Sequence, residues 1–273
     1  MPGFRDILWA MQSRRKGGRA ARLATRRATG QAKPAPGPPR RAAPPLPGRV
    51  LFLCCGALVC DILELARENG WDHVDVRGLP ARLHNYPHKI PDVLRQWIKI
   101  ARPRYNDRIF IVYGDCGTGG AVDAICRDEQ LTRIPGPHCY SFLSGNQAFA
   151  DGLDDNATTY YLTDFLLDHF ETLVVADLWL DRRPELVEMF FGHYEKLTYL
   201  AQTDDRARDD KAAKIARELG LRYERQPVGR GDLEPFVRAA ATGSCHGTGH
   251  GRSVQGSNSS FDPPPADLLK YDD

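Results

Sequence analysis

Three cysteines stand where a thiolate is easiest to hold. Cys55 ends the short apolar run Arg49-Val-Leu-Phe-Leu-Cys54 and precedes Gly56-Ala57. Cys116 lies in Tyr113-Gly-Asp-Cys-Gly-Thr-Gly-Gly120, directly after the apolar run Arg108-Ile-Phe-Ile-Val-Tyr113. Each thiol is expected in a turn between a strand and the N-terminus of a helix. There the helix dipole and free backbone N–H groups favour the charged sulfur. Gly136-Pro-His-Cys-Tyr140 adds His138 and Cys139 as adjacent soft donors. Cys55, Cys116 and Cys139, completed by His138 or His84, form a chemically adequate set for zinc or an iron–sulfur cluster. Asp115 would serve as a supporting or acid/base group. The chain contains no Cys-x-x-Cys, so this metal set depends on convergence in three dimensions.

The same residues admit other chemistry. Without metal, Cys55 and Cys116 would be a catalytic two-thiol pair, as in enzymes of the aspartate/glutamate racemase type, an analogy at the level of fold alone. A small-molecule binding module whose cysteines only pack is the third reading, since a strand-end Cys is often just a small buried hydrophobe. Gly117-Thr118-Gly119-Gly120 has the glycine content of a phosphate cradle and is the candidate cofactor-binding turn. It lacks the Lys-Ser/Thr ending of a P-loop and the spacing of a dinucleotide fingerprint, which weighs against nucleotides. His84 and His88 are four apart, but Pro87 between them opposes a helical two-His face. Cys60 and Cys126 fall at apolar positions of helical segments and are assigned to packing. Cys245, His246 and His250 read as incidental tail composition.

Positioning these groups requires alternating strands and helices. Expected strands begin near residues 49, 73, 108, 197 and 221. Helical spacing runs over 57–69, 90–101 and 204–219, and another helix opens at Thr118-Gly-Gly. Residues 138–195 read as mostly helical; Tyr160, Tyr161, Thr163 and Asp164 could cap or line the site, with a packed helix face as the blander account, and Thr172–Ala176 fits strand or helix. The pattern predicts an α/β fold with an open, mostly parallel sheet, helices on both faces and a helical insertion. In such sheets ligands bind at the carboxyl ends of the strands.

Composition bounds the partners. Residues 1–50 carry 12 Lys and Arg against one acid, Asp6, so the overall charge of +2 leaves −9 on residues 51–273. An acidic core disfavours nucleic acid. No apolar run approaches the ~20 residues of a membrane span. Seven cysteines, an odd number, and the lack of an apolar leader fit free thiols in a cytoplasmic setting. The expected organisation is a disordered basic and Pro-rich tail over 1–48, one α/β domain over 49–235, and a disordered tail over 240–273. The expected partner is a small molecule or metal ion.

Several of these strings together resemble one family. Cys55-Gly-Ala, Leu83-His-Asn85, Tyr113-Gly-Asp-Cys-Gly-Thr-Gly-Gly120, Gly136-Pro-His-Cys-Tyr140, Leu162-Thr-Asp-Phe165 and Tyr199-Leu-Ala-Gln202 are similar to a bacterial and archaeal family catalogued as domain of unknown function family 1638. The resemblance spans about residues 49–235 and implies a family-typical domain without an assigned activity. Two positions depart from the family pattern: Ser141, often Glu in relatives, and Arg183, often His.

Overall fold

The computed structural model describes residues 46–152 and 157–244. Of the tails expected over 1–48 and 240–273, residues 1–45 and 245–273, with Cys245, His246 and His250, lie outside the described residues. Leu46 is anchored: its N–H donates to the Arg104 carbonyl at 2.8 Å.

The chain opens with β1 (Val50–Cys55), α1 (Val59–Glu68), β2 (Val74–Leu79), α2 (Ile90–Tyr105), β3 (Ile109–Val112), α3 (Ala121–Asp128) and β4 (Thr132–Arg133). These strands form a parallel sheet in the order β2-β1-β3-β4. Every residue of β1 is buried, as a strand covered on both faces requires. β3 lies inside the sheet, parallel to β1, with Cys54 level with Val112. Strand order reverses between β1 and β3, because the chain goes from β1 outward to β2 and then back to β3 on the other side. Such a reversal opens a crevice at the strand ends. Cys55 and Cys116 flank it.

The strands are divided between two sheets, where sequence periodicity suggests one. β4 lasts two residues, and Pro135 and Pro137 follow it. Proline cannot donate to a ladder and holds its own φ, so the chain leaves the sheet. After α4 (Ser141–Ser144) and α5 (Asn146–Asp151) it builds β5 (Thr159–Thr163), α6 (Asp164–Asp168), a π-helical segment (Glu171–Ala176) and α7 (Leu186–Phe191). It continues through β6 (Lys196–Ala201), α8 (Arg206–Leu219) and β7 (Arg222–Pro227). β5, β6 and β7 form a second parallel sheet in sequential order. α9 (Leu233–Thr242) then returns and buries Leu233, Val237 and Ala240 in the core of the first sheet. Folded chain thus extends past the boundary near residue 235 that composition suggests. Each sheet has its own apolar core.

The fold is α/β, as the alternation implies. Thr159-Tyr-Tyr-Leu-Thr163 differs from the expected helix: it is a strand, consistent with β-branched and aromatic side chains. Thr163 then caps α6, accepting from the Leu166 N–H at 3.2 Å. Thr172–Ala176 belongs to the π-helical segment, with Val174 and Val175 buried.

The second sheet depends on one buried carboxylate. Asp164 accepts from the Tyr199 hydroxyl at 2.7 Å, the Thr203 hydroxyl at 2.8 Å, Arg208 Nη1 at 2.9 Å and the Gln202 N–H at 3.3 Å. It does not line the site described below. Replacing Asp164 with Ala strands these donors, and the expected loss in urea unfolding is about 3 kcal/mol or more. A loss below about 1 kcal/mol would place Asp164 among ordinary surface ion pairs instead.

Candidate functional site

Cys116 reaches the site through an uncommon backbone. Its φ is 49°, in the left-handed region that a side chain disfavours. The turn is held on both flanks. Asp115 N–H donates to the Gly136 carbonyl at 3.2 Å and Cys116 N–H to the Pro137 carbonyl at 2.7 Å. The Asp115 carboxylate accepts from Gly120 N–H at 2.6 Å, the Thr118 hydroxyl at 2.9 Å and Gly119 N–H at 3.2 Å. Burial opposes its charge, yet the bonds from Gly120, Thr118 and Gly119 hold its pKa below the usual carboxylate value.

The Asp115 carboxylate, expected as a supporting or acid/base group, braces the turn. In the turn of Gly117, Thr118, Gly119 and Gly120, expected to bind a cofactor, it takes the Thr118 hydroxyl and the N–H groups of Gly119 and Gly120. Gly117 alone of the four lines the cavity.

Gly114 brings Cys139 to Cys116. A side chain at Gly114 would sit 2.7–2.9 Å from the backbone of His138, closer than atoms tolerate. The missing side chain therefore lets the His138–Cys139 backbone lie against the end of β3. Arg133 fixes the same crossing, donating Nη1 to the Tyr113 carbonyl at 2.9 Å and the Gly136 carbonyl at 3.2 Å.

The result is a contiguous sulfur cluster. Cys116 Sγ and Cys139 Sγ are 3.6 Å apart. Cys55 and Tyr113 line the same cavity, and Cys55 interacts electrostatically with both Cys139 and Tyr113. Hydrogen bonds from Cys139 and His138, opposed by burial, lower the Cys116 pKa to about 5. Cys55 is shifted downward too, chiefly by the Cys139 bond against burial, with help from the Ala57 N–H. Cys139, bonded to Cys116, is pushed well up.

Both expected histidines are present. His84 lines the cavity and is solvent-exposed; desolvation by the surrounding protein atoms lowers its pKa. His138 stacks on Tyr140 with centroids 4.8 Å apart, and Tyr140 stacks on Tyr161 of β5 at 5.0 Å. Pro87 separates His84 and His88 into two short 3-10 turns. Among the described residues, no group of three or more His, Cys, Asp or Glu side chains meets the geometry of a ready metal site.

The sulfurs form one wall of a cavity of about 280 Å³. Its opposite wall comes from the second sheet: Thr159, Tyr160, Tyr161 and Thr163 of β5, Phe165 and Leu166 of α6, and Gln202 after β6. Two clasps join the halves beside it. Gln202 Nε2 donates to Asp61 of α1 at 2.7 Å. Asn85 Nδ2 donates to the Leu173 carbonyl and to Asp177, both at 2.7 Å. Sequence reading missed Tyr113, Tyr140, Phe165, Tyr194 and Gln202 as site residues. Their strings were visible, but their convergence spans the two sheets. Tyr160, Tyr161 and Thr163 line the cavity from a strand.

The remaining residues fall elsewhere. Ser141 is buried behind the cluster, donating to the His138 carbonyl or to Asn146 Oδ1, each at 2.8 Å. Arg183 is exposed, 3.6 Å from Glu185 and away from the cavity. Cys126 is buried as expected, whereas Cys60 is exposed on α1 and does not pack. Cys54 is buried, its sulfur 3.6 Å from the Arg77 carbonyl.

Two outcomes test this geometry. Gly114→Ala should destabilise the fold by about 2 kcal/mol or more and speed modification of Cys139, read by urea unfolding and thiol mass mapping; an unchanged variant would show that Gly114 is not the point of approach. In chelator-treated protein, Cys116 should react with iodoacetamide nearly as fast at about pH 6.5 as at about pH 8, because its pKa lies below both. An unperturbed thiol would slow roughly 20-fold over that interval, and such slowing at Cys116 would contradict a depressed pKa.

No curated protein and no solved structure matches the chain. A family model does, over residues 78–237, under the description protein of unknown function (DUF1638). The matched span includes His84, Cys116, His138 and Cys139 and starts after Cys55. Among the described residues, no helix is long and apolar enough to cross a membrane. With more than half of its length inside the match, the chain belongs to the DUF1638 family.

Proposed function

We propose that this protein is a metal–thiolate protein that handles a small molecule. Cys55, Cys116 and Cys139 supply sulfur ligands, and His84 or His138 supplies a nitrogen. The observation that carries the reading is the contact of Cys116 with Cys139 on the cavity that Cys55 also lines. Two sulfurs sharing a tetrahedral zinc at ~2.3 Å each lie about 3.7 Å apart, and Cys116 and Cys139 are 3.6 Å apart. Depressed thiol pKa values at Cys55 and Cys116 favour the charged form that binds soft metals. A metal held there would turn one coordination position toward the cavity, where it could polarise a bound ligand. Zinc and an iron–sulfur centre both suit these donors.

One observation favours a second reading, a metal-free thiol enzyme: Cys116 is a thiolate near neutral pH, a ready nucleophile. The racemase-like version is less well supported. A two-base pair needs its thiols facing one another across a substrate carbon, whereas Cys116 contacts Cys139 at 3.6 Å.

The test is elemental analysis of protein purified without oxygen or chelator, repeated after reconstitution with zinc and with iron plus sulfide. About one zinc, or one cluster, per chain is expected. Cys116→Ser should lower retention at least tenfold with the fold intact by circular dichroism, and Cys60→Ser should leave it unchanged. Metal-free protein after every treatment would end the metal reading, as would equal retention by Cys116→Ser.

A further inference from the structure

The cavity is notable for what its walls do not carry. No Lys, Arg, Asp or Glu side chain lines it among the described residues. The nearby carboxylates are turned to other partners. Asp61 accepts from Gln202, Asp177 from Asn85 and Arg82, and Asp164 from Tyr199, Thr203 and Arg208. Wall polarity is also partly spent: the Thr163 hydroxyl is taken by the Leu166 N–H, and the Gln202 amide nitrogen by Asp61. Most of the remaining surface is aromatic and aliphatic. Tyr140 and Tyr161 stack at 5.0 Å, and Tyr160 and Tyr194 lie 5.5 Å apart.

A carboxylate or phosphate brought here would lose its hydration and find no guanidinium or ammonium among the lining side chains. An unpaired buried ion of this kind is unfavourable by several kcal/mol. An ammonium would likewise meet no carboxylate. An uncharged apolar molecule meets neither penalty, and the rings offer it flat, rigid contact area. The size is bounded as well. A volume of about 280 Å³ holds about nine waters at ~30 Å³ each, and hence a ligand of about ten non-hydrogen atoms.

We propose that the cavity takes a small, uncharged, largely apolar molecule and turns away anionic metabolites of the same size. This deepens the reading of the cysteine-walled cavity as the working site, and it does not depend on which metal, if any, the sulfurs hold. The clasps through Gln202 and Asn85 join the two sheets beside the cavity.

Three probes of one shape and different charge test it: benzyl alcohol, benzoate and benzylammonium. Binding to the full chain is measured by calorimetry and ligand-observed NMR. Metal-free protein is used, so that coordination of benzoate to a metal does not mask the walls. Benzyl alcohol should bind at least tenfold more tightly than either ion. Filling the cavity by Leu166→Trp or, from a different element, Leu173→Trp should abolish its binding in a variant that stays folded by circular dichroism. Benzoate or benzylammonium binding as well as benzyl alcohol would overturn the proposal. So would no saturable binding of benzyl alcohol, or undiminished binding in a folded Trp variant. Elemental analysis separates the two readings: absent metal with neutral-ligand preference intact defeats only the metal assignment, and bound metal with benzoate preferred defeats only this one.

Discussion

The backbone crossing at Gly114 is the contact on which the site depends. The end of β3 and the His138 backbone approach so closely that no side chain fits between them. From this crossing come the bonds of Asp115 and Cys116 to Gly136 and Pro137, and the meeting of Cys116 with Cys139. Strand β1 supplies the third sulfur because its register sets Cys54 level with Val112, leaving Cys55 and Tyr113 side by side at the strand ends. A cluster assembled this way rests on rigid strand ends and tight turns, which hold ligand geometry better than mobile loops do.

Like-charged sulfurs do not gather without compensation. Here hydrogen bonding from Cys139 and His138 favours the charged form of Cys116 against burial, and interaction with Cys139 does the same for Cys55. Asp115, which sequence order makes an obvious acid/base candidate, instead closes the turn that aims Cys116. Its negative charge is matched by backbone N–H groups at the start of α3, where the helix dipole favours an anion. One carboxylate thus takes the Thr118, Gly119 and Gly120 donors of the glycine-rich turn.

Two sheets facing one cavity give the protein a division of labour. The first carries the reactive sulfurs at its topological switch point, and the second presents a neutral, aromatic wall. The polar groups of the second sheet, centred on Asp164 and Arg208, lie behind that wall and stabilise it without entering the cavity. The halves touch through side-chain clasps as well as the connecting chain, so cavity shape is set by both cores.

Much of the first half was legible in the residue order. The apolar runs at 50–55 and 109–112, the helices after them and the thiols at the strand ends follow from local periodicity and turn chemistry, and strands β1 and β3 are found parallel as that pattern implies. Residues 138–195 were less readable, because Tyr160-Tyr-Leu162 is too short and too evenly apolar for its period to separate strand from helix. The division into two sheets was hidden because it turns on where Pro135 and Pro137 end a two-residue strand, and a sequence does not show how long a ladder runs before they act. Only the tertiary structure decided which cysteines meet. Cys55, Cys116 and Cys139 come together while Cys60 points to solvent and Cys54 and Cys126 pack. Sequence defines which groups can ionise or ligate; the approach of backbones, which depends on atoms absent from Gly114, defines which of them share a space.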